Sequence, residues 1–211
     1  MNIDKKIMRL YAVTDRDCLN NNNLSQAVEK AIKGGETLIQ LREKNLNEND
    51  FIEEAKIIKK ITDKYNIPLI INDNVNVALA VNASGVHVGQ GDMDIKELRK
   101  ILGKNKIIGA SARTVNQALK AFKDSADYLG VGAVFHTNTK LNTEPVSFET
   151  LKEIKNNVPI PIVAIGGINK NNITKLKGTG IDGIAIISAI FAQKDIEKST
   201  KEIFEILDNI L

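Results

Sequence analysis

The chain has 211 residues and a formal net charge of +3, enough for one well-buried domain but slightly short for two. Its basic residues form no dominant block and are not interleaved with the six Phe and three Tyr, which argues against nucleic-acid binding. A single cysteine, Cys18, excludes an intramolecular disulfide framework and fits a reducing cytoplasm. The longest apolar run, 183–192, is too short for a bilayer, and the N-terminus lacks the apolar core of a secretory signal. We therefore expect a cytoplasmic protein that binds neither membrane nor nucleic acid.

In chain order, short apolar runs alternate with amphipathic segments. The predicted strands are 8–14, 37–42, 68–72, 85–89, 106–111, 128–134, 161–166 and 183–188. These runs are almost continuously apolar, which is typical of parallel strands covered on both faces. The predicted helices are 24–35, 50–66, 75–83, 94–103, 114–125, 147–157, 172–178 and 195–211. The first of them places Leu24, Val28 and Ile32 on one stripe and ends at Gly34 and Gly35.

Eight strands, each followed by a helix, predict one parallel α/β domain over residues 1–211. The alternatives are an open doubly wound sheet and a closed (β/α)₈ TIM barrel. The count of eight favours the barrel. No GxGxxG follows the first strand, which weakens a dinucleotide-binding sheet.

Polar residues concentrate where the predicted strands end, and in a barrel these C-terminal ends carry the chemistry. The polar run 136–140 follows the sixth strand directly, a pattern that indicates a phosphate-binding loop. Gly166 and Gly167 follow the seventh strand and could be only a turn. With Ile187 and Ser188 after the eighth strand, however, they match the recurring phosphate site of this fold.

Two aspartates, Asp73 and Asp92, follow the adjacent third and fourth strands. Each alone could serve as a helix cap or a turn residue. Together they predict a Mg²⁺ site, since Mg²⁺ takes one or two carboxylates plus waters and substrate phosphates. The sequence has no His/Cys cluster that would favour zinc.

Arg42 and Lys44 follow the second strand, where a bidentate guanidinium and a point charge can bind a phosphate at the barrel mouth. Ser111 is a weaker candidate, because small hydroxyls are common in barrel strands. We interpret His87 as a structural, hydrogen-bonded histidine within the fourth strand. Neither His136 nor Cys18 has an assignable partner for nucleophilic catalysis.

Seven segments resemble the thiamine-phosphate synthase family: LYAVTD (10–15), LIQLREK (38–44), LIINDNVNVALAVNASGVHVGQGD (69–92), IIGAS (107–111), YLGVGAVFHTNTK (128–140), PIVAIGGIN (161–169) and IAIISAI (184–190). They cover nearly the whole barrel in the family's order, and together they are highly specific. The resemblance implies an enzyme that joins a hydroxymethylpyrimidine diphosphate to a thiazole phosphate and releases diphosphate. The expected partners are thus two phosphorylated heterocycles; a homo-oligomer is possible but cannot be deduced from the sequence.

By the same resemblance, the pyrimidine diphosphate is held by Gln40, Leu41, Arg42, Glu43, Lys44, Asn72, Ser111 and Lys140. The thiazole phosphate is held by Thr137, Asn138, Thr139, Gly167, Ile187 and Ser188. Asp73 and Asp92 bind Mg²⁺. The catalytic residues are Arg42, Lys44, Ser111 and Lys140, which neutralise the leaving diphosphate and position the substrates, so no general base is required.

Three positions depart from the family pattern: Gly91 replaces a common acid, Arg113 a frequent histidine and Ser147 a usual glycine. The nearest alternative is a thiazole tautomerase, which is expected to use a histidine at the position of Arg113. A phosphosugar isomerase needs a paired acid and base, and only Glu43 is a spare carboxylate. A non-catalytic sensor of phosphorylated ligands is the remaining alternative, although it could dispense with both aspartates.

Overall fold

A computed structural model describes residues 3–19, 23–137 and 145–211. Eight strands in these ranges form a closed parallel barrel in the order β1 to β8, and β8 pairs with β1. They are β1 (Leu10–Val13), β2 (Leu38–Leu41), β3 (Leu69–Asn72), β4 (Gly85–Val88), β5 (Ile107–Ala112), β6 (Tyr128–Gly132), β7 (Ile162–Ile165) and β8 (Gly183–Ile186). The predicted (β/α)₈ TIM barrel is confirmed.

The helices cover the outside of the barrel, as their apolar stripes predict. They are α1 (Leu24–Lys33), α2 (Glu48–Lys64), α3 (Val75–Ala80), α4 (Ile95–Leu102), α5 (Val115–Lys123), α6 (Phe148–Asn157), α7 (Ser188–Phe191) and α8 (Ile196–Asp208). None of the helices that the structure describes is both long enough and apolar enough to cross a membrane.

The predicted helix at 172–178 is wrong, because only a 3₁₀ turn forms, over Ile173–Leu176. Gly178 and Gly180 both have positive φ and end this segment. The sequence analysis also extended the eighth strand through Ser188, whereas β8 ends at Ile186 and a short helix, α7, begins at Ser188. The chain turns at Ile187, where φ −124° and ψ −88° depart from the extended conformation.

Alternate residues of each strand divide the core in two. One set packs between the strands and the helices and includes Leu41. The other set fills the barrel interior and includes Tyr11, Leu38, Ile70 and Tyr128. Gln40, Asn72, His87 and Ser111 share the inward parity of their strands, so the polar residues of the interior lie above its apolar layer, towards the C-terminal ends. We call that end the mouth and the N-terminal end the floor. This assignment holds because successive side chains of a strand point to opposite faces of the sheet.

Side chains at the floor bond the strands together in a repeated pattern that the sequence analysis missed. The residue directly before each even-numbered strand accepts a hydrogen bond from a backbone N–H at the start of the preceding odd-numbered strand. The four acceptors are Thr37 (Leu10 N–H, 3.0 Å), Ser84 (Leu69 N–H, 3.2 Å), Asp127 (Ile108 N–H, 2.8 Å) and Asp182 (Ile162 N–H, 2.9 Å). This pattern satisfies strand-end donors that would otherwise be buried without a partner.

The two aspartates of this pattern also bind cations from the surrounding helices. Arg99 of α4 pairs with Asp127, whose side chain is 2 % exposed. Lys155 of α6 lies 2.6 Å from Asp182. Burial alone would raise the pKa of Asp182, but hydrogen bonds from Lys155, Lys5 and the Ile162 N–H outweigh it and lower that pKa. The charges at the floor are therefore compensated within the chain.

Candidate active site

The loop after β2 places Arg42, Glu43 and Lys44 at the mouth, as predicted. Arg42 is held at both ends. Its backbone N–H donates to Thr14 Oγ1 at 2.9 Å, and its Nη1 donates to Asp15 Oδ2 at 3.3 Å. Asp15 in turn caps the 3₁₀ turn Arg16–Cys18. This contact orients the guanidinium, whose fork of five N–H donors suits a phosphate.

The side chain of Glu43 is engaged in an ion pair. Its side chain is 3 % exposed, and Arg16 Nε donates to its Oε2 at 2.8 Å. Burial raises the pKa of Glu43, while the Arg16 guanidinium opposes that shift. Since Arg16 also binds Glu54 on α2, the pair ties the loop after β2 to its neighbours. This environment suits a structural role of the Glu43 carboxylate better than direct binding of the diphosphate.

Lys44 and Asp73, two predicted site residues, contact each other across adjacent strand ends. Lys44 Nζ lies 2.7 Å from Asp73 Oδ2. Asp73 has φ +60°, an uncommon conformation for a residue other than glycine. Asp73 does not cap α3, because the side chain of Asn74 accepts the Val77 N–H in that role. The capping interpretation of Asp73 is therefore wrong, and its carboxylate is available at the mouth.

Asp92 does contribute to a turn. Its Oδ2 accepts the Gly89 N–H at 2.7 Å, which holds the loop after β4, while Asp94 caps α4. Asp92 is exposed, and Gly91 beside it has open space where a side chain would project. Turn formation and ligand binding are compatible here, since a carboxylate has several lone pairs.

The donor set at these two strand ends suits Mg²⁺. Asp73 and Asp92 carry hard carboxylate oxygens at the ends of neighbouring strands, and no group of three or more His, Cys, Asp or Glu that could hold a metal occurs in the described parts of the chain. Mg²⁺ characteristically takes few protein ligands and completes its shell with waters and phosphates. Zinc requires a richer set of protein ligands.

The glycines after β7 are required by the backbone. Gly166 and Gly167 have φ +102° and +66°, and a Cβ on Gly167 would lie 2.3 Å from the His136 carbonyl oxygen. The loops after β6 and β7 thus touch without a side chain between them, and Thr137 lies beside this contact. Asn138, Thr139 and Lys140, predicted to bind the substrates, lie outside the described residues.

After β8, Ile187 and Ser188 lie at the start of α7. Many barrels of this fold have a short extra helix at this place. Ile187 makes no side-chain hydrogen bond that caps α7. Ser188 is exposed, whereas Ile187 packs against the barrel interior. Leu41, by contrast, is fully buried between the barrel and the helices, so that only its backbone could contact a ligand.

Two neighbouring cavities open at the mouth. The wide cavity, about 920 Å³, is lined by Arg42, Glu43 and Lys44 on one side and by Gly167 and Ser188 on the other. The narrow cavity, about 330 Å³, is lined mostly by small and apolar residues. Its lining is Gly89, Gln90, Ser111, Arg113, Gly130, Gly132, Ala133, Thr137, Ile165, Gly166, Gly167, Ile168, Ala185, Ile186, Ile187 and Ser188. The two share a wall of Thr137, Gly167, Ile168 and Ser188.

A chain of hydrogen bonds crosses the barrel beneath these cavities. Gln40 Nε2 lies 2.5 Å from Tyr11 Oη, which lies 2.7 Å from Tyr128 Oη. Tyr128 Oη lies 2.9 Å from His87 Nδ1, and His87 Nε2 lies 3.0 Å from Ser111 Oγ. The interpretation of His87 as a hydrogen-bonded histidine of the strand is confirmed. We call these five residues the interior chain.

Four residues of this region were not predicted from the sequence: Tyr11, Asp15, Arg16 and Tyr128. A signal for the tyrosines was present, since both stand at inward positions of apolar strands and a buried phenol needs a polar partner. Glycines gave a second signal: a Cβ on Gly109 would lie 2.2 Å from Tyr128 Cζ, and one on Gly130 would lie 3.1 Å from His87 Cε1. A glycine inside a strand often marks such close packing.

Comparison with known proteins shows the family of the chain. The family model described as thiamine monophosphate synthase matches residues 10–190. The chain belongs to the thiamine monophosphate synthase family. It is 61 % identical to the thiamine-phosphate synthase of Clostridium tetani over 92 % of this chain and 93 % of that protein. It is 54 % identical to that of Clostridium botulinum over 95 % of this chain and 94 % of that protein.

A solved structure agrees. Thiamine phosphate pyrophosphorylase from Pyrococcus furiosus superposes with a TM-score of 0.90 at 40 % identity and covers 98 % of both chains. These findings confirm the predicted family. They support a thiamine-phosphate synthase, a transferase of thiamine biosynthesis, over the tautomerase and the sensor.

Proposed function

We propose that the chain condenses 4-amino-2-methyl-5-hydroxymethylpyrimidine diphosphate with 4-methyl-5-(2-phosphoethyl)thiazole, giving thiamine phosphate and diphosphate. One observation carries this assignment: a wide cavity with cations from the β2 loop adjoins a narrow apolar cavity that contains Ser111. Two anionic heterocycles need space for charged groups beside space for rings. The shared wall brings these spaces together, as a bimolecular reaction requires.

The wide cavity suits the anionic groups of both substrates. Arg42 and Lys44 line one side and are proposed to bind the diphosphate, together with Lys140 from beyond the described residues. Gly167 and Ser188 line the opposite side and are proposed to bind the thiazole phosphate, with Thr137 and Ile187 nearby. Backbone N–H groups at a glycine turn and at the start of α7 provide donors that suit an anion.

The narrow cavity suits the pyrimidine ring. Its apolar wall includes Ile165, Ile187 and Ala185, while Ser111 supplies a hydroxyl at one side. Sites for small molecules combine such apolar walls with a few fixed polar groups. Gln40 and Asn72 have inward positions on β2 and β3, outside the lining of this cavity, and are proposed as further polar contacts at its edge.

The reaction needs no general base on the protein. The bond between the pyrimidine methylene carbon and the diphosphate oxygen breaks, and the oxygen keeps the electron pair. The ring amino group donates electron density to the resulting cation, and the thiazole nitrogen then forms the new C–N bond. Arg42 and Lys44 neutralise the charge that develops on the departing diphosphate, and the cavity walls hold the thiazole nitrogen in line.

Asp73 and Asp92 are proposed to hold Mg²⁺ at the neighbouring ends of β3 and β4. When bound, Mg²⁺ supplies positive charge that stabilises the leaving diphosphate. Lys44, which lies beside Asp73, would add its own positive charge to the binding of the same diphosphate. The contact between Lys44 and Asp73 supports this arrangement, because it places a cation proposed to bind the diphosphate beside a proposed Mg²⁺ ligand.

The experiment is product formation by the purified chain from the two phosphorylated heterocycles, with Mg²⁺ and with excess EDTA. We expect thiamine phosphate and diphosphate in equal amounts with Mg²⁺, loss of both with EDTA, and recovery when Mg²⁺ is restored. A change in the thiazole phosphate alone would assign the chain to the tautomerases. Binding of both compounds without turnover would assign it to the sensors.

A further inference from the structure

The interior chain joins two residues of the proposed pyrimidine site, Gln40 and Ser111, through three residues that contribute no other role to that site. Tyr11 and Tyr128 are fully buried, and their rings meet edge to face with centroids 5.9 Å apart. His87 is 9 % exposed and packs on Tyr128. The packing of these buried rings leaves their hydrogen bonds few alternative arrangements.

The protons of this chain can be assigned by following the donors. The Gln40 amide nitrogen can only donate, so Tyr11 Oη accepts a hydrogen bond from it. The Tyr11 hydroxyl then donates its own hydrogen bond to Tyr128 Oη. Tyr128 then donates to His87 Nδ1. A neutral His87 that accepts at Nδ1 carries its proton on Nε2 and donates that proton to Ser111 Oγ.

Burial supports the neutral state of the phenols. It raises the pKa of both tyrosine hydroxyls, so each keeps the proton that the chain requires. A doubly protonated His87 would donate to Tyr128, which would then donate to Tyr11. The Tyr11 proton would be left facing the donor nitrogen of Gln40, at the cost of a buried unpaired donor.

We infer that Tyr11, Tyr128 and His87 are positioning residues that fix the polarity of the site, so that Ser111 presents its hydroxyl proton to the narrow cavity while Gln40 offers its carbonyl oxygen. Because Ser111 Oγ accepts from His87 on the interior side, its own O–H is free to donate to a ligand in the narrow cavity. This inference rests on the proposed function, since it assigns a role to the ligand side of Ser111.

Fixed polarity matters for the choice of substrate. An aminopyrimidine presents a ring nitrogen that accepts beside an amino group that donates, so a site with one donor and one acceptor matches it. A pyrimidine with an oxo group in place of the amino group presents the reverse pattern. Its oxo group would face the carbonyl oxygen of Gln40, and this repulsion is relieved only if the Gln40 amide flips and the hydrogen bonds of the interior chain turn around. The chain is thus a specificity device as well as a support.

The direct test is the tautomer of His87 in the free protein, read from the ¹⁵N chemical shifts of the two imidazole nitrogens. The sequence contains only two histidines, and the exposed His136 serves as the reference. We expect His87 to be neutral at about pH 7.5 with its proton on Nε2. A proton on Nδ1, or on both nitrogens, would overturn the inference without requiring any variant to fold.

The functional test is Tyr128→Phe, which removes one hydroxyl from the middle of the interior chain. The expected result is an increase of about tenfold in KM for the pyrimidine diphosphate, the size of one lost hydrogen bond, with an unchanged KM for the thiazole phosphate. Tyr65→Phe is the matched control, because Tyr65 bonds Glu29 outside the mouth. It should change neither constant.

A double variant separates positioning from general damage. Because Tyr128 acts through Ser111, Tyr128→Phe should have little further effect in a Ser111→Ala background. Additive effects, or a Tyr128→Phe enzyme that behaves like Tyr65→Phe while Ser111→Ala is impaired, would reject the interior chain and leave the proposed function standing. A fully active Ser111→Ala enzyme would instead reject the proposed site, and the inference with it.

Discussion

The floor and the mouth of the barrel use similar polar side chains for opposite purposes. At the floor, Asp127 accepts a strand N–H and pairs with Arg99, so its charge is neutralised within the chain. At the mouth, Arg42 touches Asp15 at 3.3 Å and lines a cavity of about 920 Å³. Location decides the role, because strand ends at the floor are closed by side chains whereas those at the mouth face space for a ligand.

Asp73 and Asp127 show the difference most clearly. Both carboxylates contact a cation, but the pair at the floor is almost fully buried and the pair at the mouth is half-exposed. A buried pair is strongly coupled to folding, since removal of one partner leaves a charge without compensation. An exposed pair contributes little to stability and can exchange partners with a ligand.

The largest expected effect is therefore on stability, from Asp127→Ala. The substitution removes the Arg99 pair and the Ile108 hydrogen bond together, and we expect a loss of about 3–5 kcal/mol in the free energy of unfolding. Urea denaturation measures it. Asp63→Ala, which breaks only a surface pair with Lys59 on α2, should cost less than about 1 kcal/mol. Equal losses in the two variants would contradict the contrast between floor and surface.

The next effect concerns the mouth. Asp73→Asn should lower turnover about 100-fold, equivalent to about 2.7 kcal/mol, while the free energy of unfolding changes by less than about 1 kcal/mol. The physical reason is the loss of a proposed Mg²⁺ ligand from a site that adds little to folding. Steady-state kinetics with saturating Mg²⁺ measures the change.

Asp94→Asn provides the control for Asp73→Asn. Asp94 lies two residues beyond Asp92 but caps α4, a role that asparagine fills equally well. Its turnover should match that of the unmodified enzyme. Normal turnover of the Asp73→Asn enzyme at low Mg²⁺ would show that Asp73 is not a Mg²⁺ ligand.

The last expected effect depends on pH and comes from an exception at the floor. Glu36, two residues before β2, is 2 % exposed, and neither of its carboxylate oxygens has a hydrogen-bond partner among the described residues. Burial raises its pKa well above the usual range, against a smaller opposing contribution from the Ala12 backbone. The folded protein then holds a proton that the unfolded chain releases above a pKa of about 4.3.

Stability should consequently fall as pH rises between the unfolded pKa and the raised folded pKa, by up to about 1.4 kcal/mol per pH unit. Glu36→Gln should remove this contribution, so the variant gains stability over the parent at about pH 7 more than at about pH 5. Urea denaturation at both pH values tests the sign. A gain that is the same at both would show that Glu36 does not carry the proton.

The sequence by itself determined the architecture and the family. Eight apolar runs with eight amphipathic partners predicted a parallel α/β domain, and the count of eight favoured the closed barrel over an open doubly wound sheet. The residues of the strand ends, such as Arg42, Asp73 and Gly167, could be chosen because the fold rule places them at one mouth. Local patterns carry such information, since the place where an apolar strand ends is set by neighbours along the chain.

Only the tertiary structure decided how those residues are partnered. The sequence did not reveal that Lys44 contacts Asp73, that Asn74 rather than Asp73 caps α3, or that Leu41 faces away from the mouth. Nor did it reveal that Tyr11 and Tyr128 join Gln40 to His87 and Ser111. These contacts join residues up to 117 positions apart in the sequence. Such residues come together only when the strands form the closed barrel.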